Sequence, residues 1–382
     1  MSLYTAIDLF SGAGGLSLGI RNAGFTSLVA NEIEPDFART FALNHPECLV
    51  LNQDIHQVDF TQVLKTLGLR AGQVDLVCGG PPCQGFSTVG SKNRKDPRNS
   101  LFYEFIRAVF EVRPSYVLFE NVSGFRNLYD GSAYHALTQE LSQLGYETRG
   151  AVLNAADFGL PQNRLRMIVV GWLKSLPPVA LPQPSHFDAP DLLGGHKKTA
   201  LMDAISDLPE LRFGELAEEY RSAPCNALQA RLRGSVKVLT EHNMANHGEK
   251  MREILSLIPV GGSVMDLPER LRPKAYFKNT YARLLPDKPS PTITRNFGTP
   301  SSSRCVHPFQ NRALSTREGA RLQGFPDNYQ FHGSKVSKNL QIGNAVPPIF
   351  GEVIARQIVA SIKASEHGQS MSSEVLEHKV CI

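Results

Sequence analysis

Cys83 is the residue of this chain best placed for covalent chemistry. It stands in the run Gly79-Gly80-Pro81-Pro82-Cys83-Gln84-Gly85-Phe86-Ser87, directly after the apolar, β-type run Val74-Asp75-Leu76-Val77-Cys78. Two prolines stiffen the turn, and open α/β sheets place their chemistry just outside the carboxyl ends of strands. A free thiol has a pKa near about 8.5, so only about a few per cent is thiolate at neutral pH, yet that thiolate is strongly nucleophilic. The competing role is a small buried hydrophobe, the common fate of a free cysteine. Two further groups could act beside it. Glu120, in Glu120-Asn121-Val122, ends another apolar run. It could protonate or hydrogen-bond a bound molecule, or simply be satisfied by neighbouring backbone N–H groups. Gln162-Asn163-Arg164-Leu165-Arg166 opens a strand with two arginines two residues apart, hence on one face. Their guanidinium groups suit carbonyl or phosphate oxygens, or an ion pair with Glu120.

A glycine-rich join, Asp8-Leu9-Phe10-Ser11-Gly12-Ala13-Gly14-Gly15-Leu16-Ser17-Leu18-Gly19, links a first strand to a first helix. Glycines there let a ligand approach the backbone. Glu32 follows at the end of the next strand, near the spacing of a carboxylate that grips ribose hydroxyls. NAD and S-adenosylmethionine both fit such a loop. Ser17 occupies the last glycine position of G-x-G-x-x-G, which weakens the NAD reading. Asp54, just after a third strand, could hold an adenine amino group or cap a turn.

The elements that must position these residues alternate. Strands are expected at 4–10, 26–32, 48–52, 74–79 and 115–120, then at 146–154 and 165–172. Helices are expected at 15–23, from Pro35 to about Asn44, at 100–113 and at 133–144, the last closed by Gly145. In the helix at 100–113, Leu101, Phe102, Phe105, Ile106, Val109 and Phe110 form one apolar stripe. Repeated βα units predict an α/β fold with a doubly wound, mostly parallel sheet. After Trp172 the chain becomes rich in Pro, Gly, Ser and Arg, which predicts a smaller, irregular domain. Ser315-Thr316-Arg317-Glu318 fits a capping box that opens a short helix, and an apolar helix runs from Pro348 to about Ile362. The boundaries expected are a catalytic and cofactor-binding domain at 1–174, a second domain at 175–300, a return to the first at 301–365 and a loose tail at 366–382.

At 382 residues the chain has room for two domains. No run reaches the length of a membrane-spanning helix, and the N-terminus is not a signal peptide. Six scattered cysteines, with no C-x-x-C pair, argue against a zinc or disulfide framework and for a reducing cytoplasm. A net charge of +4 permits a nucleic-acid partner without requiring one.

Taken in order, the glycine loop, Pro-Pro-Cys-Gln, Glu-Asn-Val and Gln-x-Arg-x-Arg resemble the DNA (cytosine-5) methyltransferase family. Two late stretches carry the same resemblance: Arg317-Glu318-Gly319-Ala320-Arg321-Leu322-Gln323-Gly324-Phe325-Pro326 and Gln341-Ile342-Gly343-Asn344-Ala345-Val346-Pro347-Pro348. The resemblance covers residues 4–172 and about 312–362. It implies the class I S-adenosylmethionine-dependent fold with a target-recognition domain at 175–300. It also implies transfer of a methyl group from S-adenosylmethionine, leaving S-adenosylhomocysteine, to C5 of a cytosine flipped from duplex DNA, with no metal. Cys83 would attack C6, Glu120 would hold N3 and the amine, Arg166 would meet O2, and Arg164 would support the Cys83–Glu120 site. Phe10, Gly12, Gly14 and Leu16 would line the cofactor pocket, Glu32 would bind the ribose, and Asp54 and Ile55 the adenine. Pro82, Leu101, Asn344 and Val346 would close it, and the final helix would return beside the first strand.

For DNA, Lys92, Arg94, Lys95 and Arg98 are expected on a mobile loop that closes over phosphates. Arg283, Arg295 and the aromatics Tyr276, Phe277 and Phe297 are expected among the contacts of the recognition segment. The short chain looks like the bacterial type: a monomer in the cytoplasm, at the nucleoid, paired with a restriction endonuclease and protecting host DNA from it. The alternatives are an RNA cytosine-5 methyltransferase, a non-catalytic DNA-binding relative and an NAD-dependent oxidoreductase. Intact Cys83, Glu120 and Arg166 oppose the second, and the broken glycine fingerprint opposes the third.

Overall fold

The computed structural model of the chain describes residues 4–82, 100–189, 194–212, 214–244, 247–302 and 304–380. The backbone divides into two compact units, one within Met1–Leu153, Leu165–Gln183 and Phe350–Ile382, the other within Asn154–Arg164 and Pro184–Ile349. Residues 301–349 thus group with the second unit, and the chain re-enters the first at Phe350.

The first unit alternates as its hydrophobic pattern predicts. Its elements are β1 (Tyr4–Leu9), α1 (Gly15–Asn22), β2 (Phe25–Asn31), α2 (Pro35–Asn44), β3 (Leu49–Leu51), α3 (Phe60–Thr66), β4 (Leu76–Gly79), α4 (Ser100–Val112), β5 (Tyr116–Val122), α5 (Ser132–Gln143), β6 (Tyr146–Asn154) and β7 (Leu165–Leu173). The sheet order is β3-β2-β1-β4-β5-β7-β6. The pairings of β1 with β2 and β4, β2 with β3 and β4 with β5 are parallel, and β7 is antiparallel to β5. Strands of this kind are buried on both faces, so they read as continuous apolar runs such as Leu76-Val77-Cys78. α3 is only seven residues long, with Phe60 and Leu64 buried and Val63 packed beside them, too short a run for periodicity to announce it.

α4 is amphipathic, with Phe102, Phe105, Ile106 and Val109 buried. Phe105 meets Phe119 of β5 edge-on at 5.4 Å between ring centroids. Truncating a ring packed like that to alanine costs roughly 3–5 kcal/mol. Phe110, expected on the same stripe, is 55% exposed, with the Arg113 guanidinium 5.9 Å from its ring centroid. The stripe is narrower than the apolar residues that suggest it.

The second unit contains β8 (His186–Phe187), β9 (His196–Lys197), α6 (Leu201–Ile205), α7 (Ala227–Arg233), α8 (Glu249–Ser256), α9 (Thr316–Leu322) and α10 (Lys335–Asn344). Ser315 caps α9 through a capping box with Glu318. Beside an apolar cluster that includes Leu255, Val264 and Val306, several buried charges of this unit are paired. Arg312 grips Glu318 with two bonds of 2.7 Å, and Arg321 binds Asp207 and Asp327. Burial alone would raise the Glu318 carboxyl, but the Arg312 guanidinium outweighs it and holds it well below its ordinary value.

The final helix, α11 (Pro348–Val380), continues as helix through residues 366–380, where a tail is expected. It returns to the first unit. A side chain at Gly351 would stand 3.2 Å from the Leu16 side chain of α1, and Ser361 lies 3.2 Å from the Tyr116 hydroxyl of β5. By length and composition the stretch Lys335–His367 could cross a membrane, contrary to the expectation from sequence, but 67% of its apolar 18-residue window is buried within the protein, as in a core helix.

Candidate active site

Register explains how distant motifs meet. Leu51, Asn31, Leu9, Gly79 and Phe119 stand in one row across β3, β2, β1, β4 and β5. The residues that follow them, among them Glu32, Phe10, Gly80 and Glu120, therefore stand together at the same carboxyl edge, where β5 runs on to Val122 and keeps Glu120 paired with Ile168 of β7. This is the edge where parallel sheets carry ligands and catalytic groups.

The glycine turn is held by one carboxylate. Glu32 accepts from the Gly12 N–H at 2.8 Å and from the Glu34 N–H at 2.9 Å. Burial raises its carboxyl above the usual range, against those two hydrogen bonds. Gly12 and Gly14 adopt φ of 57° and 84°, and a Cβ at Gly12 would meet no atom within 4 Å. The turn is thus a backbone cradle with open space over it, the form a nucleotide-type cofactor needs. Phe10 also sits in the left-handed region, at φ 54°. For a bulky side chain that costs about 1–2 kcal/mol, and such strain clusters at ligand sites. Beneath the turn Asp8 is buried. It accepts from the Ser17 hydroxyl at 2.7 Å, and Ser17 lies 2.9 Å from Ser27. Burial pushes the Asp8 carboxyl up to about 7.

On the other side of β1, the Glu120 carboxylate lies against Gly80. A Cβ there would stand 2.7 Å from Oε2, so only glycine leaves the space. Glu120 Oε1 pairs with Arg166 Nε at 2.9 Å, and both side chains are largely buried. Asn121 Nδ2 donates to the Pro81 carbonyl at 3.0 Å, tying the proline turn to β5. Neither Gly80 nor Asn121 was singled out from sequence, although both lie inside the quoted motifs; only contact reveals their work.

Cys83 and the loop cations Lys92, Arg94, Lys95 and Arg98 lie outside the described residues. Pro82, the last described residue before Cys83, is exposed, and Leu101 is half-buried on the core. Leu16 and Ile55 are buried, and the Ile55 carbonyl accepts from Arg107 at 2.8 Å. Asp54 caps the short turn Ile55–Gln57, accepting from the His56 N–H at 3.0 Å and meeting His56 Nδ1 at 2.7 Å. Its backbone bond from His56 holds it below the ordinary carboxylate range.

Arg164 departs from expectation. β7 begins at Leu165, so strand alternation does not extend to it. Within the second unit its guanidinium is buried and donates to the carbonyls of Ile293, Gly343 and Ala345 at 3.2, 3.0 and 2.9 Å. It braces the turn that carries exposed Asn344 and half-buried Val346, helped by Gln323, which donates to the Ala345 carbonyl at 2.6 Å.

Arg283 is a correction. It is 5% exposed and donates to the carbonyls of Leu255, Ile258, His307, Pro308 and Gln310 and to Asn311 Oδ1. A guanidinium saturated by the backbone in this way staples loops and is withdrawn from DNA. Phe297 is likewise buried, its ring occupying the space beside Gly319. Arg295 is exposed.

A family model for C-5 cytosine-specific DNA methylases matches residues 4–360. The Type II methyltransferase M1.HphI of Haemophilus parahaemolyticus is 39% identical over 362 residues, covering 94% of this chain and 87% of that protein. The Type II methyltransferase M.DdeI of Desulfomicrobium norvegicum is 36% identical over 375 residues, covering 92% and 88%. The crystal structure of a putative DNA modification methyltransferase encoded within a prophage of E. coli superposes with a TM-score of 0.74 at 27% identity, over 94% of this chain and 99% of that one. With a match across nearly its whole length, on a sheet that delivers Glu120 and Arg166 to one carboxyl edge, the chain belongs to the C-5 cytosine-specific DNA methylase family and is a DNA (cytosine-5)-methyltransferase.

Proposed function

We propose that this enzyme methylates C5 of a flipped cytosine within one short duplex sequence, through a covalent bond between Cys83 and C6, and that it thereby shields host DNA from a partner restriction endonuclease. The observation that carries the reading is the Glu120–Arg166 pair, 2.9 Å apart, beside the Gly80-Pro81 turn that leads into Cys83. The Type II naming of its relatives supports the protective role.

Cytosine C5 is a weak nucleophile. The Cys83 thiolate adds to C6 while Glu120 hydrogen-bonds N3 and the exocyclic amine, so that electron density moves to C5. C5 would then accept the methyl group that bound S-adenosylmethionine supplies, the electron pair of the broken C–S bond staying on the departing thioether. Loss of the C5 proton to solvent restores the double bond and expels Cys83. Arg166 keeps Glu120 oriented and meets the cytosine O2. When bound, S-adenosylmethionine supplies an electrophilic methyl group; Phe10, Gly12, Gly14 and Leu16 would hold it on the glycine cradle, with Glu32 at the ribose and Asp54 and Ile55 at the adenine.

Bisulfite sequencing of plasmid DNA from cells expressing the chain tests this directly. One short sequence should appear protected at a single cytosine, and Cys83→Ser should erase the signal. Unmodified plasmid despite soluble wild-type protein would refute the reading.

A further inference from the structure

We propose that Phe277 inserts its ring against the bases of the bound duplex, with Lys274 and Lys278 on the flanking phosphates; this rests on the DNA methyltransferase reading and extends it to a specific recognition contact. Phe277 is 82% exposed, far more than any other large apolar side chain of its segment. The exposed stretch Lys274–Asn279 is held at both ends. Before it, the Arg272 guanidinium donates to the Leu267 and Met265 carbonyls at 2.9 and 2.8 Å. After it, buried Thr280 closes a turn: its N–H donates to the Phe277 carbonyl at 2.8 Å, and its hydroxyl accepts from the Phe277 N–H at 3.2 Å. The ring is therefore presented on a braced support.

Fold stability does not explain the ring, because it buries almost nothing. Charge selects the partner. From Glu269 to Asn279 the cations Arg270, Arg272, Lys274 and Lys278 face the single carboxylate Glu269. A polyanion with apolar faces fits an aromatic set between lysines, and phenylalanine is among the residues that wedge between base steps. Phosphate contact and base contact make separable predictions. Lysine–phosphate contacts set the salt dependence, and an aromatic contact adds affinity that salt does not screen.

The test uses the full chain and plasmid DNA. Phe277→Ala should keep the wild-type melting temperature and bind DNA about tenfold more weakly, with an unchanged slope of log K against log salt. Lys274→Gln with Lys278→Gln should flatten that slope by about two. The chain has one tryptophan, Trp172, and it is buried. Phe277→Trp thus adds one exposed indole. Its emission should be quenched by DNA and its acrylamide accessibility lost. Wild-type affinity in Phe277→Ala, or unchanged indole emission with DNA saturating, would overturn the proposal; a protein-docking role for this ring would give those same results. Wild-type methylation of the same plasmid separates the two readings. If the wild type methylates and Phe277→Ala is indistinguishable from it, only the Phe277 contact falls. If the wild type leaves the plasmid unmethylated, the function falls and this contact with it.

Discussion

Gly80 and Glu120 occupy one space: a methyl group at position 80 would stand 2.7 Å from the Glu120 Oε2 and 3.3 Å from its carbonyl oxygen. Gly80→Ala must therefore displace either the carboxylate or the turn that leads to Cys83. Misplacement of a reacting group by about 1 Å costs about a hundredfold. Methylation should fall by about one to two orders of magnitude, while S-adenosylmethionine binding by calorimetry changes little. Full activity in Gly80→Ala would remove Glu120 from the chemistry.

Glu120 and Arg166 should act as a unit. Glu120→Gln should slow single-turnover methylation by about 10²–10³. Adding it to Arg166→Gln should then cost much less than the product of the two single losses, since each removes the same pair. Strict additivity in the double-mutant cycle would mean that the 2.9 Å contact carries no catalytic weight.

Asp8 makes stability depend on pH in a defined direction. Its folded value, raised by burial, is about 7, against about 4 for an unfolded aspartate. The folded state binds this proton more tightly. The stability it contributes is fully present below about pH 4 and is lost as pH rises through about 7. The gap corresponds to about 4 kcal/mol at most. Asp8→Asn keeps an acceptor for Ser17 and removes the titration. Its denaturant midpoint should fall less between pH 4 and 7 than that of the wild type; parallel curves would show that Asp8 does not titrate in this window.

Arg283→Gln should destabilise the second unit without a DNA-specific effect. It strands several buried carbonyls that the guanidinium now satisfies, at a cost of about 3 kcal/mol or more. Urea unfolding should show the loss. At a temperature where the variant stays folded, the salt slope of DNA binding should match the wild type. A shallower slope would return Arg283 to the phosphate contacts.

Much of the site was legible because its motifs sit at strand ends. The run Val74–Cys78 and the glycines after it announce a carboxyl edge, and so does Glu120 at the close of a second apolar run. The capping box at Ser315 was legible because capping is local. Where contact decides, the reading failed. Arg283 and Phe297 look like DNA-facing residues in a list of cations and aromatics, yet one is saturated by carbonyls and the other fills the space beside Gly319. Arg164 and Arg166 share a motif and part company because the strand starts between them.

The sequence by itself determined the chemistry available, the alternating elements and the order in which the chain lays them down, because residue type and hydrophobic period are local properties. Tertiary structure decided which groups are spent on the fold and which are left for substrate. Glu32 on the Gly12 N–H, Asn121 on the Pro81 carbonyl and the glycine that makes room for Glu120 are contacts between strands far apart in the chain. Parallel register brings those partners together, and no window of sequence contains both sides of such a contact.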